Sequence, residues 1–238
     1  MVRPNWLGQM QAGEQGDSGQ KVGLTWQGGV PVSQRFDDPY FSSGNGLAET
    51  RHVFLAGNGL PERFQPGFHV AELGFGTGLN MLAAWMAWRQ TGMAGALRFT
   101  SFEAYPLPAK DIDHALMEFP EVHAVAAPFL TQWAQGARAI RLDGLEADVI
   151  VGDARQALPM WAGRADAWFL DGFSPTKNPE LWNADLLAEV ARHTAAGGSF
   201  ATYTAAGHVR RSLADAGFTV TRAAGFGQKR HMSRGVLA

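Results

Sequence analysis

Three glycines within a nine-residue run are the feature of this chain best suited to bind a ligand. The run E-L-G-F-G-T-G-L-N covers residues 72–80 and places Gly74, Gly76 and Gly78 at alternate positions. Because glycine has no Cβ, the backbone can turn tightly there and approach a ligand closely. A short apolar run precedes the glycines and a helix-like run follows them. This order predicts a strand, a turn and a helix whose N-terminus binds a nucleotide-like ligand.

The spacing of these glycines differs from that of a dinucleotide site. A dinucleotide fingerprint is G-x-G-x-x-G, which makes room for a pyrophosphate. Here Glu72 precedes Gly74 by two residues and the pattern is E-x-G-x-G-x-G. A carboxylate would repel a phosphate and would suit a cationic group, such as the amino end of an amino-acid-like cofactor. The pattern resembles motif I of class I S-adenosylmethionine (SAM) methyltransferases; a turn that binds nothing and an atypical NAD site are the alternatives.

Further carboxylates follow predicted strands. Glu103, Asp153 and Asp171 each stand at the end of a predicted strand, as Glu72 does. In an open α/β sheet, ligands lie outside the carboxyl ends of the strands. Glu103 is placed to accept hydrogen bonds from a ribose diol, and Asp153 could accept one from an adenine amino group. Alternatively, each carboxylate could simply cap the helix that follows it.

The loop that begins at Asp171 is the strongest candidate for acceptor binding. It lies in F-L-D-G-F-S-P-T-K-N-P-E-L-W, residues 169–182, where two prolines stiffen the backbone. The Asp171 carboxylate could orient an amine and accept its proton. Phe173 could stack on a base, and Lys177 and Asn178 are the other candidate substrate-binding residues of the loop. The alternative is a turn in which Asp171 accepts hydrogen bonds from nearby backbone N–H groups.

Composition excludes several classes of site. The chain has 238 residues and a net charge of −2, so any nucleic-acid surface must be a local patch. It has no cysteine, which excludes disulfides, thiolate metal sites and the cysteine nucleophile of pyrimidine C5-methyltransferases. The seven histidines lack metal-site spacing, so no metal is predicted. With no membrane-length apolar run and no signal pattern, a cytoplasmic location is expected.

The order of predicted elements indicates an α/β fold. Residues 1–19 are expected to form a disordered tail, and residues 21–34 a β-hairpin. Strands and helices then alternate, which predicts a doubly wound, mostly parallel sheet. The predicted strands are 68–71, 97–102, 138–142, 147–151, 167–170, 199–203, 218–222 and 231–236, and the predicted helices include 49–55, 79–88, 108–119, 128–135, 179–195 and 207–216.

Long motifs in this chain resemble those of one methyltransferase family. They are F-D-D-P-Y-F-S-S-G-N-G-L-A-E-T-R-H-V-F-L, E-L-G-F-G-T-G-L-N, W-F-L-D-G-F-S-P-T-K-N-P-E-L-W, Y-T-A-A-G-H-V-R-R and G-F-G-Q-K-R-H-M. The family is the SAM-dependent methyltransferase of tRNA 5-methylaminomethyl-2-thiouridine biosynthesis, called MnmC when fused and MnmD when free-standing. The resemblance begins near residue 20. His231 and Gln228 depart from it, where the family pattern has Glu and a basic residue, and could weaken a basic patch.

The resemblance implies a fold, a cofactor and an activity. The fold is Rossmann-like, with a mostly parallel seven-stranded sheet in residues 61–238 and an N-terminal hairpin extension in residues 20–60. The cofactor is SAM, and the activity is methylation of the exocyclic amine of 5-aminomethyl-(2-thio)uridine at the tRNA wobble position. An FAD-dependent oxidase, fused or separate, is the implied partner. No second glycine fingerprint for FAD occurs here, so both a free-standing enzyme and a fragment stay open.

The tRNA surface is less sharply indicated than the cofactor site. The adjacent Arg210 and Arg211, on the predicted helix after Gly207, are the best candidate pair for phosphate contacts. The other candidates are Arg35, Arg51, Lys177, Lys229, Arg230 and Arg234. Each of these could equally be an ordinary solvated charge.

Two other functions remain open from the residues alone. The first is a class I methyltransferase, or an aminopropyltransferase-like enzyme, that acts on a small amine, since the Asp171 loop suits any amine. The second is an NAD-binding oxidoreductase or a nucleotide-binding module. The glycine spacing counts against NAD, and a module that only binds would not need Asp171.

Overall fold

The computed structural model describes residues 23–238, so the predicted tail of residues 1–19 lies outside the described chain. The strands are β1 Leu24–Gln27, β2 Val30–Ser33, β3 Asp38–Pro39, β4 His69–Leu73, β5 Leu97–Glu103, β6 Ala139–Leu142, β7 Leu145–Val151, β8 Ala165–Leu170, β9 Thr194–Thr202, β10 Phe218–Ala224 and β11 His231–Leu237. The α-helices are α1 Gly46–Thr50, α2 Leu79–Thr91, α3 Ala109–Leu116, α4 Pro120–Ala134, α5 Ala154–Met160, α6 Ala184–Arg192 and α7 Gly207–Asp215. A π-helical turn, Arg51–Leu55, continues α1, and 3₁₀ turns cover Ala56–Asn58 and Pro179–Trp182.

The main sheet confirms the predicted doubly wound α/β class. Its strand order is β10-β11-β9-β8-β4-β5-β7-β6, and the five strands from β9 to β7 run parallel. The sheet has eight strands rather than seven, because β6 pairs antiparallel with β7 and adds an edge strand. The predicted N-terminal hairpin is also confirmed, as β1 pairs antiparallel with β2 and β3 completes a small separate sheet.

The central strands are buried on both faces, as parallel strands between helices must be. Side chains alternate between the two faces along a strand. Val70 and Phe169 therefore join the apolar cluster that contains α2, α3 and α4, whereas Ala71 and Trp168 join the cluster that contains α5, α6 and α7. The two clusters fix the sheet between two helical layers and hold the strand ends in register.

Helix boundaries follow from a few residues with special backbone preferences. Gly78 and Gly92 adopt left-handed conformations immediately before and after α2, which limits that helix. The predicted start of α4 at residue 128 was wrong, since the helix begins at Pro120, where a missing N–H costs nothing. Pro128 lies inside that helix instead of starting it.

The fold gathers the predicted carboxylates at one edge of the sheet. Strands β4, β5, β7 and β8 are mutually parallel, so their carboxyl ends meet there. The segment of residues 35–42 crosses the same edge and contributes to the wall of a cavity. In residues 23–238, no helix has both the length and the apolar character needed to cross a membrane.

Candidate active site

A cavity of about 680 Å³ opens at the carboxyl edge of the sheet. Its walls are the glycine turn, the ends of β5 and β7, the loop that starts at Asp171, and the N-terminal segment 35–42. Asp171, Glu103 and Asp153 line it, as do Gly74 and Gly76. Segments from distant parts of the chain therefore build one site.

Asp171 is held by a buried amide. Its Oδ2 accepts a hydrogen bond from Nδ2 of Asn80 at 2.7 Å, and the same nitrogen donates to Oε1 of Glu72 at 2.9 Å. The hydroxyl of Thr50 donates to Oδ1 of Asn80 at 2.8 Å, which fixes the orientation of the amide. Asn80 thus holds the Asp171 carboxyl in one position at the cavity wall.

The surroundings of Asp171 bring the pKa of its carboxyl close to neutral pH. Burial raises the pKa of this carboxyl to about 7, and the hydrogen bond from Asn80 opposes the rise. Glu49 raises the Asp171 pKa further through charge repulsion, and Lys229 lowers it. A carboxyl with a pKa near the working pH is well matched to accept a proton from a reacting group.

Glu72 lies beneath the cavity and does not line its wall. It is completely buried and accepts hydrogen bonds from Asn80 and from Oγ of Ser101, the latter at 2.7 Å. Burial raises its pKa to about 8. The geometry therefore favours an indirect role, in which Glu72 acts on the site through Asn80, over the predicted direct contact with a ligand.

Replacing Glu72 with Gln should reduce the pH dependence of stability. The folded protein keeps a proton on Glu72 up to about pH 8, whereas the unfolded chain releases it near 4.5. The stabilising contribution is therefore complete below pH 4.5 and is lost as pH rises through 8. Gln carries no charge, its oxygen can accept from Asn80, and its Nε2 can donate to the Ser101 hydroxyl, which turns from donor to acceptor. Glu72→Gln should therefore gain in Tm relative to wild type between pH 5 and pH 8. An equal Tm difference at both pH values would contradict this.

Glu103 connects β5 to the glycine turn. Its Oε2 accepts a hydrogen bond from the Gly76 N–H at 3.0 Å, and its Oε1 accepts one from the Tyr105 N–H at 2.7 Å. Burial raises the pKa of this carboxyl. Each oxygen keeps a second lone pair, so Glu103 could still accept hydrogen bonds from a ligand in the cavity.

Asp153 combines the two roles that the sequence left open. It caps α5, accepting a hydrogen bond from the Arg155 N–H at 2.9 Å, and it also lines the cavity. The Arg155 guanidinium lies 2.5 Å from Oδ2 and lowers the Asp153 pKa, so the group is a carboxylate at neutral pH.

The glycine turn leaves no room for larger residues at its first position. Gly74 has φ +90°, and a Cβ built there would lie 1.9 Å from the carbonyl oxygen of Asp171. Gly76 also has a positive φ, +52°, and its Cβ would lie 3.2 Å from Tyr40. Gly78, with φ +73°, precedes α2 and lies outside the cavity wall. The first two glycines thus shape the cavity floor, while the third begins the helix.

Comparison with known proteins identifies the family of this chain. A family model described as S-adenosyl-L-methionine-dependent methyltransferase matches residues 120–238, half of the chain. The chain belongs to this methyltransferase family. Within residues 23–238 no three His, Asp or Glu side chains are grouped so that they could hold a metal ion.

Curated relatives of this methyltransferase are longer proteins. It is 46% identical over 226 residues to the tRNA 5-methylaminomethyl-2-thiouridine biosynthesis bifunctional protein MnmC of Chromobacterium violaceum, covering 90% of this chain and 34% of that protein. The protein of the same name from Pseudomonas fluorescens is 45% identical, with 89% and 34% covered. The chain therefore spans about a third of the length of the curated relatives it matches.

Solved structures agree with the fold. MnmC2 from Aquifex aeolicus superposes with a TM-score of 0.72 at 27% identity, covering 87% of this chain and 67% of that one. Spermidine synthase from Thermotoga maritima superposes with a TM-score of 0.52 at 12% identity, covering 87% and 64%, which shows a shared fold alone.

The residues of the cavity fit SAM. Gly74 and Gly76 line the cavity with backbone alone, and Gly74 packs too closely against the Asp171 backbone to carry a Cβ. Glu103 offers fixed carboxylate oxygens beside the turn, as a ribose diol requires. Asp153 lies on the same wall and could accept a hydrogen bond from the adenine amino group.

Replacing Glu103 with Gln should weaken SAM binding by about 10- to 100-fold, the loss expected for hydrogen bonds to a charged group. An amide has one acceptor oxygen, so it cannot serve the N–H groups of Gly76 and Tyr105 together. Titration calorimetry with SAM measures the effect. The exposed Glu146, on β7, gives the matched control Glu146→Gln, which should bind as wild type does. Unchanged affinity of Glu103→Gln would refute the assigned role.

Aromatic side chains form another part of the cavity wall. Phe173 stacks on Phe36 with ring centroids 4.7 Å apart and meets Tyr40 edge-on at 5.1 Å. All three line the cavity. The predicted stacking residue Phe173 is thus part of an aromatic cluster that the N-terminal segment completes.

The structure separates the remaining predicted substrate residues into two groups. Lys177 and Asn178 line the cavity, and the Lys177 ammonium contacts the Asp37 backbone oxygen and lies 3.5 Å from the Asp38 carboxylate. Arg210 and Arg211 lie on α7, outside the cavity wall. A role for those two arginines would require contact with a more distant part of an RNA.

Sequence reasoning missed several residues that line the cavity. They are Asp38, Tyr40, Glu49, Thr50, Asn80 and Tyr203. Most belong to elements without a strand-end pattern, and Asn80 lies in the first turn of α2. The dense polar and aromatic composition of residues 35–51 was the available signal.

Proposed function

We propose that this methyltransferase transfers a methyl group from SAM to the exocyclic amine of 5-aminomethyl-(2-thio)uridine at the tRNA wobble position. The product would be 5-methylaminomethyl-(2-thio)uridine. The names of the relatives support this acceptor. The observation that carries the proposal is the half-buried Asp171 carboxyl, which has a pKa of about 7 and lies against the glycine turn.

Asp171 would prepare the acceptor amine. A protonated amine has no lone pair and cannot attack a methyl group. In this proposal the Asp171 carboxylate accepts a hydrogen bond from the amine and takes up its proton, and Asn80 keeps the carboxyl in place. When bound, SAM supplies an electrophilic methyl group, so that an N–C bond forms while the electron pair of the broken S–C bond stays on sulfur. Correct alignment would account for much of the rate.

The rest of the cavity wall would bind SAM and the target uridine. Gly74, Gly76, Glu103 and Asp153 would bind SAM, with Glu72 acting through Asn80. The target uridine would leave its stack and enter the cavity, as enzymes that act on bases require. Phe173 and its aromatic neighbours would stack on that base.

The proposed partners are tRNA and an FAD-dependent oxidase, fused or separate, which would supply the amine. Lys177, Asn178, Arg210 and Arg211 are proposed tRNA contacts. Lys177 and Asn178 lie at the cavity, near the entering base, whereas the two arginines on α7 would contact phosphates farther away. Phosphate contacts of this kind would make tRNA affinity fall with rising salt.

The deciding experiment is methyl transfer from labelled SAM to bulk tRNA that lacks this modification, followed by nucleoside analysis. We expect label in 5-methylaminomethyl-(2-thio)uridine. Label in free polyamines or other small amines instead would favour the small-amine enzyme. SAM binding without label in tRNA would show that the acceptor, and not the cofactor, is wrongly assigned.

A further inference from the structure

We propose that Lys229 is a positioning residue that favours the neutral, reactive form of the acceptor amine, and that Glu49 holds it in place. The inference rests on the proposed function and deepens it. It assigns a role in the cavity to a lysine that the sequence suggested only as one of several RNA-surface charges.

Lys229 reaches the cavity from the loop between β10 and β11. Its Nζ lies 2.6 Å from Oε1 of Glu49 on α1 and 4.3 Å from the centre of the Tyr203 ring. Lys229, Glu49 and Tyr203 all line the cavity that contains Asp171. The C-terminal hairpin therefore places an ammonium group in the wall of the acceptor site.

Glu49 is built to fix that ammonium. Its side chain is only 10% exposed, and its second oxygen accepts a hydrogen bond from Oγ of Ser42 at 2.5 Å. A carboxylate with both oxygens engaged holds a definite position. The Lys229 side chain is 42% exposed, so the pair differs from an ordinary surface ion pair through the fixed Glu49 end.

The other cations of the cavity are engaged elsewhere. Arg155 pairs with Asp153, Lys177 lies beside Asp37 and Asp38, and Arg35 stacks on the Tyr105 ring at 4.8 Å. Lys229 instead pairs with Glu49 and lies over the Tyr203 ring. Its positive charge also acts on the Asp171 carboxyl. The burial and negative neighbours of Tyr203 raise its pKa, so it stays neutral.

An unopposed pair of carboxylates would work against methyl transfer. An alkylamine has a pKa of about 10.4, so only about one molecule in a thousand is neutral near pH 7. Asp171 and Glu49 alone would stabilise the ammonium form further, because opposite charges favour the charged state. The ammonium of Lys229 opposes this effect. It also favours the ionised form of Asp171. This carboxylate can take up the N–H proton while the electron pair stays on the nitrogen.

The variants Lys229→Met and Lys229→Arg test this role. The rate is measured as single-turnover methyl transfer in the enzyme–SAM–tRNA complex, at saturating tRNA, from pH 6 to pH 10. In Lys229→Met the midpoint of the rate increase should move upward by about one pH unit, with about tenfold loss at pH 7, since one pKa unit is a tenfold change in the neutral fraction. Lys229→Arg keeps the charge and should keep the wild-type midpoint.

A phosphate contact by Lys229 would give a different result. It would raise the KM for tRNA and reduce the salt dependence of binding, while the midpoint stayed unchanged, and that outcome would overturn the inference. Glu49→Gln removes one negative neighbour of the amine. The Gln oxygen can still accept the hydrogen bond from Lys229 and keep it in place, so the midpoint should move downward, opposite to that of Lys229→Met.

A second measurement needs neither tRNA nor SAM. With ¹³C-labelled aspartate, the carboxyl of Asp171 is titrated by NMR, and the variant Asp171→Asn identifies its signal. Lys229→Met should raise the Asp171 pKa, whereas Lys229→Arg should not. Unchanged titration in Lys229→Met, with wild-type Tm, would refute the inference even if tRNA is methylated. Wild-type protein that fails to methylate tRNA would refute the proposed function alone, and this titration would still decide whether Lys229 acts on Asp171.

Discussion

Replacing Asp171 with Asn should lower the rate of methyl transfer by about 10²–10⁴-fold, the range for loss of a positioned acid–base group. The substitution keeps the size of the side chain, and an amide oxygen can still accept the hydrogen bond from Asn80. What is lost is the ability to take up a proton near neutral pH, which the half-buried carboxyl provides with its pKa of about 7. Single-turnover kinetics with saturating SAM and tRNA measure this loss directly.

The affinity for SAM distinguishes this role from a general disruption of the cavity. We expect Asp171→Asn to bind SAM within a few-fold of wild type by calorimetry, since the glycine turn and Glu103 are unchanged. Asp185→Asn, at an exposed position in the first turn of α6, is the matched control and should retain wild-type rate. Wild-type turnover by Asp171→Asn would remove Asp171 from the mechanism.

The predicted carboxylates that line the cavity share one property. Glu103, Asp153 and Asp171 follow apolar runs, and the parallel arrangement of those runs places their ends at one edge. Local pattern and sheet topology together are enough to bring such residues into one cavity. Glu72 is the informative exception, because it lies within β4, one position before the strand end, and is completely buried instead of lining the cavity.

The contacts that sequence reasoning missed depend on long-range packing. Glu49 and Lys229 are separated by 180 residues, and Ser174 and Asp38 by 136. No local period predicts that such pairs meet. Their contacts arise because the N-terminal segment crosses the sheet edge and the C-terminal hairpin folds back over it. The resemblance to a family marked both segments as distinctive without saying where they would lie.

Arg210 and Arg211 show that residues adjacent in sequence need not act together. Adjacent charges on a helix point in different directions, about 100° apart at 3.6 residues per turn. The Arg210 Nε donates to the backbone oxygen of Ala205, so part of its hydrogen-bonding capacity is used within the protein. Adjacency in sequence therefore gave no information about which side chain faces a ligand.

Replacing Gly74 with Ala should both weaken SAM binding by at least about tenfold and slow methyl transfer by about 10²-fold. The new Cβ would lie 1.9 Å from the Asp171 carbonyl oxygen, so the backbone at Asp171 must move. A hydrogen bond from the Asp171 N–H to the Leu73 oxygen, at 3.0 Å, links the same two segments and resists that movement. A displacement of about 1 Å in a reacting group can cost about 10² in rate.

Gly92→Ala separates this effect from the ordinary strain of a positive φ. Gly92 has φ +68°, yet nothing lies within 4 Å of a Cβ built there. Both variants incur the left-handed strain of about 1–2 kcal/mol, and only Gly74→Ala adds a steric clash beside the active carboxyl. Gly92→Ala should therefore lower Tm and leave SAM affinity and rate unchanged. If Gly74→Ala merely matched Gly92→Ala in all three measurements, close contact between the glycine turn and Asp171 would not matter for catalysis. If it lost rate as well as affinity, the turn that binds SAM would also be what positions the carboxyl that prepares the amine.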